Sequence, residues 1–315
     1  MAKRTRTGGA GKRNVLRVLK QGFVLGDGGN VEEARTRGYG VPRAILEFPH
    51  VVRLIHQDYF RAGAQVLRAM TGMGAHSPQR GDRVEETHRT AVRLAREVAG
   101  EEAFVAGCVG PTGTFQAGDA GSRDRARAEW EGQVAALAEA GVDLLICEPF
   151  NRLDEARLAL MCCKKTRLPT MVALNFRLNE DVTEDGVSPA ACARALVDEG
   201  ADAVGTSGAL EPQDMWPAVV EMRGAVDAPV AFIPCGYRTS VPGWESAREA
   251  MVIYGVEMAK FALQAKMLGI NFFGGGDGAG TEIIRSVAQA LGCERTHVGL
   301  RPRWVGDREG VIVRA

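Results

Sequence analysis

Two acidic residues occupy positions where a charge needs a reason. Asp27 lies in Gly26–Asp27–Gly28–Gly29, where backbone can approach a ligand closely while the carboxylate accepts a proton or a hydrogen bond. The same run also suits a tight turn after a strand, and spacing alone leaves both readings open. Glu148 ends the apolar run Leu144–Leu145–Ile146–Cys147. A carboxylate there is costly unless it binds something, so Glu148 is read as a functional acid, the alternative being a salt bridge to an Arg or Lys of a neighbouring strand. Asp27 and Glu148 are the candidate catalytic pair.

The groups expected around them as substrate contacts are Gly28, Gly29, Thr71, Met73, Cys235, Tyr237, Arg238 and Asp277. Cys235, in Ile233–Pro234–Cys235–Gly236–Tyr237–Arg238, brings a thiol next to a phenol and a guanidinium. It is the candidate reactive cysteine, weighed against a purely structural role. Two glycine-rich turns, Gly107–Gly113 and Gly274–Thr281, present backbone N–H groups to an anion or form plain loops. The first is neither a P-loop nor a dinucleotide fingerprint, and the second precedes a helix that Thr281 could cap. Cys147 should face away from Glu148 by strand alternation. Cys162–Cys163 diverge on a helix and make a poor metal pair, and Cys192 and Cys293 read as small buried groups. The five histidines, at 50, 56, 76, 88 and 297, show no metal spacing. His76 falls in a mouth loop, as a surface residue or a general base.

These groups need a scaffold that gathers strand ends. A unit of short β-branched run, turn and amphipathic stretch recurs along the chain. Strands are expected at Phe23–Gly28, Val66–Thr71, Phe104–Val109, Asp143–Glu148, Thr170–Phe176, Ala203–Ser207, Val230–Pro234 and Ile270–Gly274. Helices are expected at Pro49–Ala62, Val84–Val98, Arg125–Ala140, Leu153–Lys165, Pro189–Glu199, Pro212–Ala225, Ser246–Leu268 and Thr281–Leu291. Gly63, Gly141, Gly200 and Gly269 each precede a strand, as left-handed C-caps do. Alternation implies a parallel sheet, and this many units favour a closed (β/α)8 TIM barrel, whose chemistry sits at the C-terminal ends of the strands.

Composition agrees. The chain has 315 residues, 45% of them hydrophobic, and 39 basic residues balance 39 acidic ones. That balance gives no reason to expect nucleic acid or an acidic membrane as partner; a small molecule is expected. No run approaches the roughly 18 apolar residues of a membrane span. Seven scattered cysteines do not form a secreted framework, so the expected compartment is the cytoplasm. The expected organisation is a basic flexible arm over 1–21, the barrel over 22–292 and a C-terminal tail over 293–315, including Arg301–Pro302–Arg303–Trp304.

In this order the strand ends resemble the homocysteine and betaine–homocysteine S-methyltransferases, over most of Gly22–Leu291. The resemblance is carried by Gly26–Asp27–Gly28–Gly29, Arg37–Gly38–Tyr39, Pro49, and His56–Gln57–Asp58–Tyr59–Phe60–Arg61–Ala62–Gly63–Ala64. It continues through Gly107–Gly113, Ala140–Leu145 leading to Glu148, Gly200–Ala201 with Val204–Gly205, and Gly274–Gly275. It implies a barrel enzyme of one-carbon and methionine metabolism that passes a methyl group to a thiol, and a homo-oligomer. In the family a cysteine after strand six and a Cys-Cys pair after strand eight hold zinc; here those positions read Gly208, Gly276 and Asp277. Glycine has no donor atom, so no zinc cofactor is expected. The aromatic cage of betaine users is replaced by Thr71–Gly72–Met73–Gly74, and Asn30 stands where an aromatic often follows the first glycines.

The expected function is therefore methyl or other one-carbon transfer to or from a small thiol or amino-acid-type metabolite. Asp27 and Glu148 would orient an ammonium or act on protons, and a cation such as Arg238 would favour the thiolate. The alternatives are a corrinoid-linked methyltransferase and a non-catalytic descendant that binds a metabolite or partner.

Overall fold

The structure, a computed structural model, describes residues 14–41, 43–72 and 83–295. In chain order the elements begin with α1 (Val15–Gln21), β1 (Val24–Leu25), α2 (Asn30–Thr36), α3 (Arg43–Glu47), α4 (Pro49–Ala62), β2 (Val66–Ala69), α5 (Val84–Ala99) and β3 (Phe104–Val109). They continue with α6 (Ala120–Glu139), β4 (Leu144–Phe150), α7 (Leu153–Cys163), β5 (Thr170–Leu174), α8 (Pro189–Asp198), β6 (Ala203–Ser207) and α9 (Pro212–Ala225). Last come β7 (Val230–Ile233), a 3₁₀ segment (Trp244–Met251), α10 (Gly255–Met267), β8 (Phe272–Phe273) and α11 (Thr281–Leu291).

All strand pairs are parallel, in the order β1-β8-β7-β6-β5-β4-β3-β2. The ring closes where Gly26 bridges Val66 and where Gln65 N–H donates to Leu25 O at 2.7 Å. The protein is thus a (β/α)8 barrel, as the repeating units predict. The four pre-strand glycines have φ of 116°, 82°, 94° and 81°, the left-handed geometry that stops each helix and turns the chain into the sheet.

Alternation along the strands sorts side chains into two cores. One fills the lumen, with Val24, Val66, Phe104, Leu144, Met171 and Phe272 near its lower end. The other lies between sheet and helices and takes up the buried Trp130, Tyr59 and Phe150. Cys147 belongs to this outer layer, its Sγ 3.4 Å from that of Cys163, facing away from Glu148 as expected.

Two expectations are corrected. Residues 15–21 are not part of a flexible arm: Asn14 caps α1 by accepting from Arg17 N–H, and Val15 and Leu19 are buried against the lumen residues. The lower end of a barrel exposes apolar side chains, and α1 covers them; residues 1–13 lie outside the described residues. The helix expected over Ser246–Leu268 is broken, because Ile253 N–H donates to Gly236 O and Arg238 N–H to Met251 O. These bonds pin the chain to the rim as a hook before α10 begins. Of the expected tail, Arg295 lies over the Phe60 ring and pairs with Glu102 at 2.8 Å; residues 296–315, with Arg301–Trp304, fall outside the described residues.

Candidate active site

At the C-terminal mouth a cavity of about 350 Å³ is lined by the first and last glycine turns, by Arg68, Cys108, Glu148, Ser207 and Cys235, and by Trp244. Its floor is an ion cluster. In β2, Arg68 shares the lumen-facing side with Val66, two residues before it, so Arg68 projects into the barrel under the mouth. Its Nε donates to Asp27 Oδ1 at 2.7 Å and its Nη1 to Glu148 Oε1 at 2.8 Å. Its Nη2 reaches the carbonyls of Asp27, Gly28 and Gly275 at 3.1, 2.7 and 2.5 Å.

The two acids predicted from sequence therefore do converge, with a guanidinium between them. Glu148 pairs with an arginine as the alternative reading supposed, though from β2, one strand removed from β4, and it still lines the cavity. Its second oxygen accepts from Ser207 Oγ at 2.8 Å, and Cys108 Sγ lies 4.0 Å from the first. Asp27 is 0% exposed. Its Oδ2 accepts from the Arg68 backbone N–H at 2.8 Å and from Asn30 Nδ2 at 3.4 Å. Glu148 lines the cavity and Asp27 stands behind it.

Burial pulls the Arg68 guanidinium down, but the charges of Glu148 and Asp27 outweigh it and hold its pKa well above the ordinary value. Burial pushes the Asp27 carboxyl up against the opposing pull of Arg68. Removing either acid would leave a buried cation short of partners, the costly way to break such a cluster.

Several expected substrate contacts do line the cavity: Gly28, Gly29, Cys235 and Asp277. Gly28 has a packing role as well, since a Cβ there would fall 1.8 Å from Ala279 O. Cys235 donates to Asp277 O at 3.2 Å, and burial pushes its thiol up to about 12, so it rests as a neutral thiol. Burial likewise raises Asp277.

Others do not line it. Thr71 is buried with its hydroxyl donating to Cys108 O at 2.9 Å, tying β2 to β3. Tyr237 donates to Glu32 Oε1 at 3.4 Å and stacks on Trp244, centroids 5.6 Å apart. Arg238 points away and pairs with Glu257 of α10 at 2.6 Å, so the cation beneath the mouth is Arg68 instead. In the Gly107–Gly113 turn only Cys108 reaches the cavity, and Gly110 O is taken by Trp130 Nε1 at 2.9 Å. Met73 and His76 lie outside the described residues.

Sequence reading missed Arg68, Ser207 and Trp244. Arg68 carried a signal, a lone charge at every-second-residue spacing inside an apolar strand. Trp244 carried none, because its position depends on the hook.

Glu148, Arg68 and Ser207 beneath an open mouth make this a barrel of the enzyme type, with its reactive groups on strand ends. A profile described as homocysteine S-methyltransferase matches residues 24–291. The betaine–homocysteine S-methyltransferase 1 of Danio rerio is 32% identical, over 90% of this chain and 77% of its own length. The S-methylmethionine–homocysteine S-methyltransferase of Pongo abelii is 29% identical, over 90% of this chain and 83% of its own. The crystal structure of apo homocysteine methyltransferase MmuM from Escherichia coli superposes with a TM-score of 0.70 at 23% identity, covering 88% of this chain and 98% of that one. The chain belongs to the homocysteine S-methyltransferase family, and it is a methyltransferase.

Proposed function

We propose that this chain methylates a small thiol metabolite in the mouth cavity without a thiolate-held zinc ion, with Glu148 as the group that takes the thiol proton. The observation that carries this is Glu148 itself, an acid on the cavity wall whose geometry is fixed by Arg68 and Ser207 at 2.8 Å each. In the transfer, sulfur attacks the donor methyl, the new S–C bond forms as the donor's bond to that carbon breaks, and the donor leaves with the electron pair. The thiol proton goes to Glu148.

The cavity does not fit a three-thiolate zinc site. Gly208 and Gly276 line it without donor atoms, and a Cβ on Gly208 would fall 2.4 Å from Asn175 Oδ1. Among the described residues no three His, Cys, Asp or Glu side chains are grouped to hold a metal ion.

The proposal extends to a cytoplasmic homo-oligomer. All seven cysteines are free, including the close pair Cys147 and Cys163, as a reducing compartment favours. Tyr254, Val256 and Met267, on and beside α10, are 73%, 66% and 87% exposed, which suits a contact between subunits. Among the described residues no helix is long and apolar enough to cross a membrane.

The test is methyl transfer from sulfonium and quaternary ammonium donors to a panel of thiols, with and without chelator, alongside metal analysis. Chelator-resistant turnover that falls about 100-fold or more in Glu148→Gln is expected. One zinc per chain, or full activity in that variant, overturns the reading.

A further inference from the structure

Two acids at the mouth of a barrel would suit an amino acid's ammonium, provided their oxygens are free. Here they are not. Both oxygens of Asp27 are taken from within the chain, Oδ1 by Arg68 Nε and Oδ2 by the Arg68 backbone N–H and Asn30. One oxygen of Glu148 is taken by Arg68 and the other by Ser207. The place between the carboxylates, which a ligand cation would fill, is filled by a guanidinium fixed through three further bonds to backbone carbonyls.

Of Asp27 and Glu148, an incoming ammonium would reach only the remaining acceptor capacity of Glu148, and Asp277, the other acid on the cavity wall, is pushed by burial toward its neutral form. The ammonium would also sit beside a permanent like charge in a poorly screened setting. A site built for a charged hydrogen-bonding group rejects the analogue that lacks it. A site whose two inner carboxylates are already spoken for has lost that means of selection.

Resting on the thiol-acceptor reading above, we propose that Arg68 is a built-in counter-cation and specificity-determining residue: by saturating Asp27 and Glu148 it turns the acceptor site toward thiols that lack an α-ammonium group. Arg68 is a positioning residue with respect to Glu148, whose carboxylate it orients toward the cavity.

The experiment is calorimetric titration of the full chain with homocysteine and with 4-sulfanylbutanoate, the same thiol acid without the amino group. The wild type is expected to bind the des-amino compound at least as tightly. Arg68→Gln should shift the affinity ratio toward homocysteine by about tenfold, the factor one charge-assisted hydrogen bond carries. A purely structural role for Arg68 would weaken both ligands together.

Should Arg68→Gln not fold, Asp27→Asn combined with Arg68→Gln removes the stranded inner carboxylate and leaves Glu148 free for the same titrations. The same shift is expected. A wild type that prefers homocysteine tenfold, or a ratio that neither variant moves, overturns the assignment while the thiol-acceptor reading stands. If the wild type binds neither compound, that reading falls and takes this one with it.

Discussion

The two ends of the barrel are closed by opposite means. At the bottom, Val15 and Leu19 of α1 close the lumen with apolar side chains, and Asn271 Nδ2 donates to Leu19 O at 3.0 Å. At the mouth, Arg68, Asp27, Glu148 and Ser207 fill the same lumen with charges that satisfy one another. Apolar closure tolerates imperfect shape and responds in proportion to the volume removed. A buried ion cluster responds to the loss of one member as a whole, because each survivor is left unpaired. The lower end is thus expected to yield gradually, the upper abruptly.

The largest effect should follow Arg68→Met, which strands two carboxylates. A loss of about 3–5 kcal/mol in urea unfolding is expected, and a loss under 1 kcal/mol would mean that the acids are already neutral in the native state. Leu19→Ala at the other end should cost about 3 kcal/mol and leave thiol affinity untouched. Altered affinity there would erase the division between the two ends.

Another buried polar group sharpens the contrast by having no partner. His56 on α4 is wholly buried with neither ring nitrogen hydrogen-bonded, and burial lowers its pKa from 6.5 to about 4. Its folded pKa lies below the unfolded one, so the unfolded chain binds more protons between those values. Stability contributed by the neutral ring is full above pH 6.5 and is lost as pH falls toward 4, by up to about 3 kcal/mol. Unfolding of the wild type and His56→Leu at pH 7 and pH 4.5 measures it, and equal acid sensitivity of the two would sink the assignment. The smallest effect belongs to Ser207→Ala, which removes one hydrogen bond to a charged oxygen. It should cost about 1.5 kcal/mol, measured by the same unfolding curves. A cost near that of Arg68→Met would make the serine an equal member of the cluster.

How far these features were legible depended on whether their cause was local. Strand positions were, since a buried parallel strand is an apolar run of its own. β3 and β6 carry their expected bounds, whereas β1 and β8 shrink to two residues because their glycine turns leave the ladder early. α1 was hidden by the basic stretch before it, although Val15, Leu16, Val18 and Leu19 already carried a helical apolar face. The acids were found because a charge at the end of an apolar run stands out. Their partner was missed because Arg68 lies within a strand, and only the closed ring brings it to residues 41 and 80 positions away. Trp244 rests on its stacking with Tyr237, itself bonded to Glu32, and the outward turn of Arg238 on its pairing with Glu257, contacts which no short stretch encodes.

The seam between the first and last strands has its own corollary. A Cβ on Gly28 would overlap Ala279 O and one on Gly29 would press on Gly276 O, so the two loops meet backbone to backbone. Positions 28 and 29 have no side-chain vocabulary left to vary. Divergence toward new acceptors in this lineage, or redesign at the bench, must instead be written into the neighbours Asn30 and Asp277 and into the opposite arc, through Ser207, Ala209 and the hook that carries Trp244.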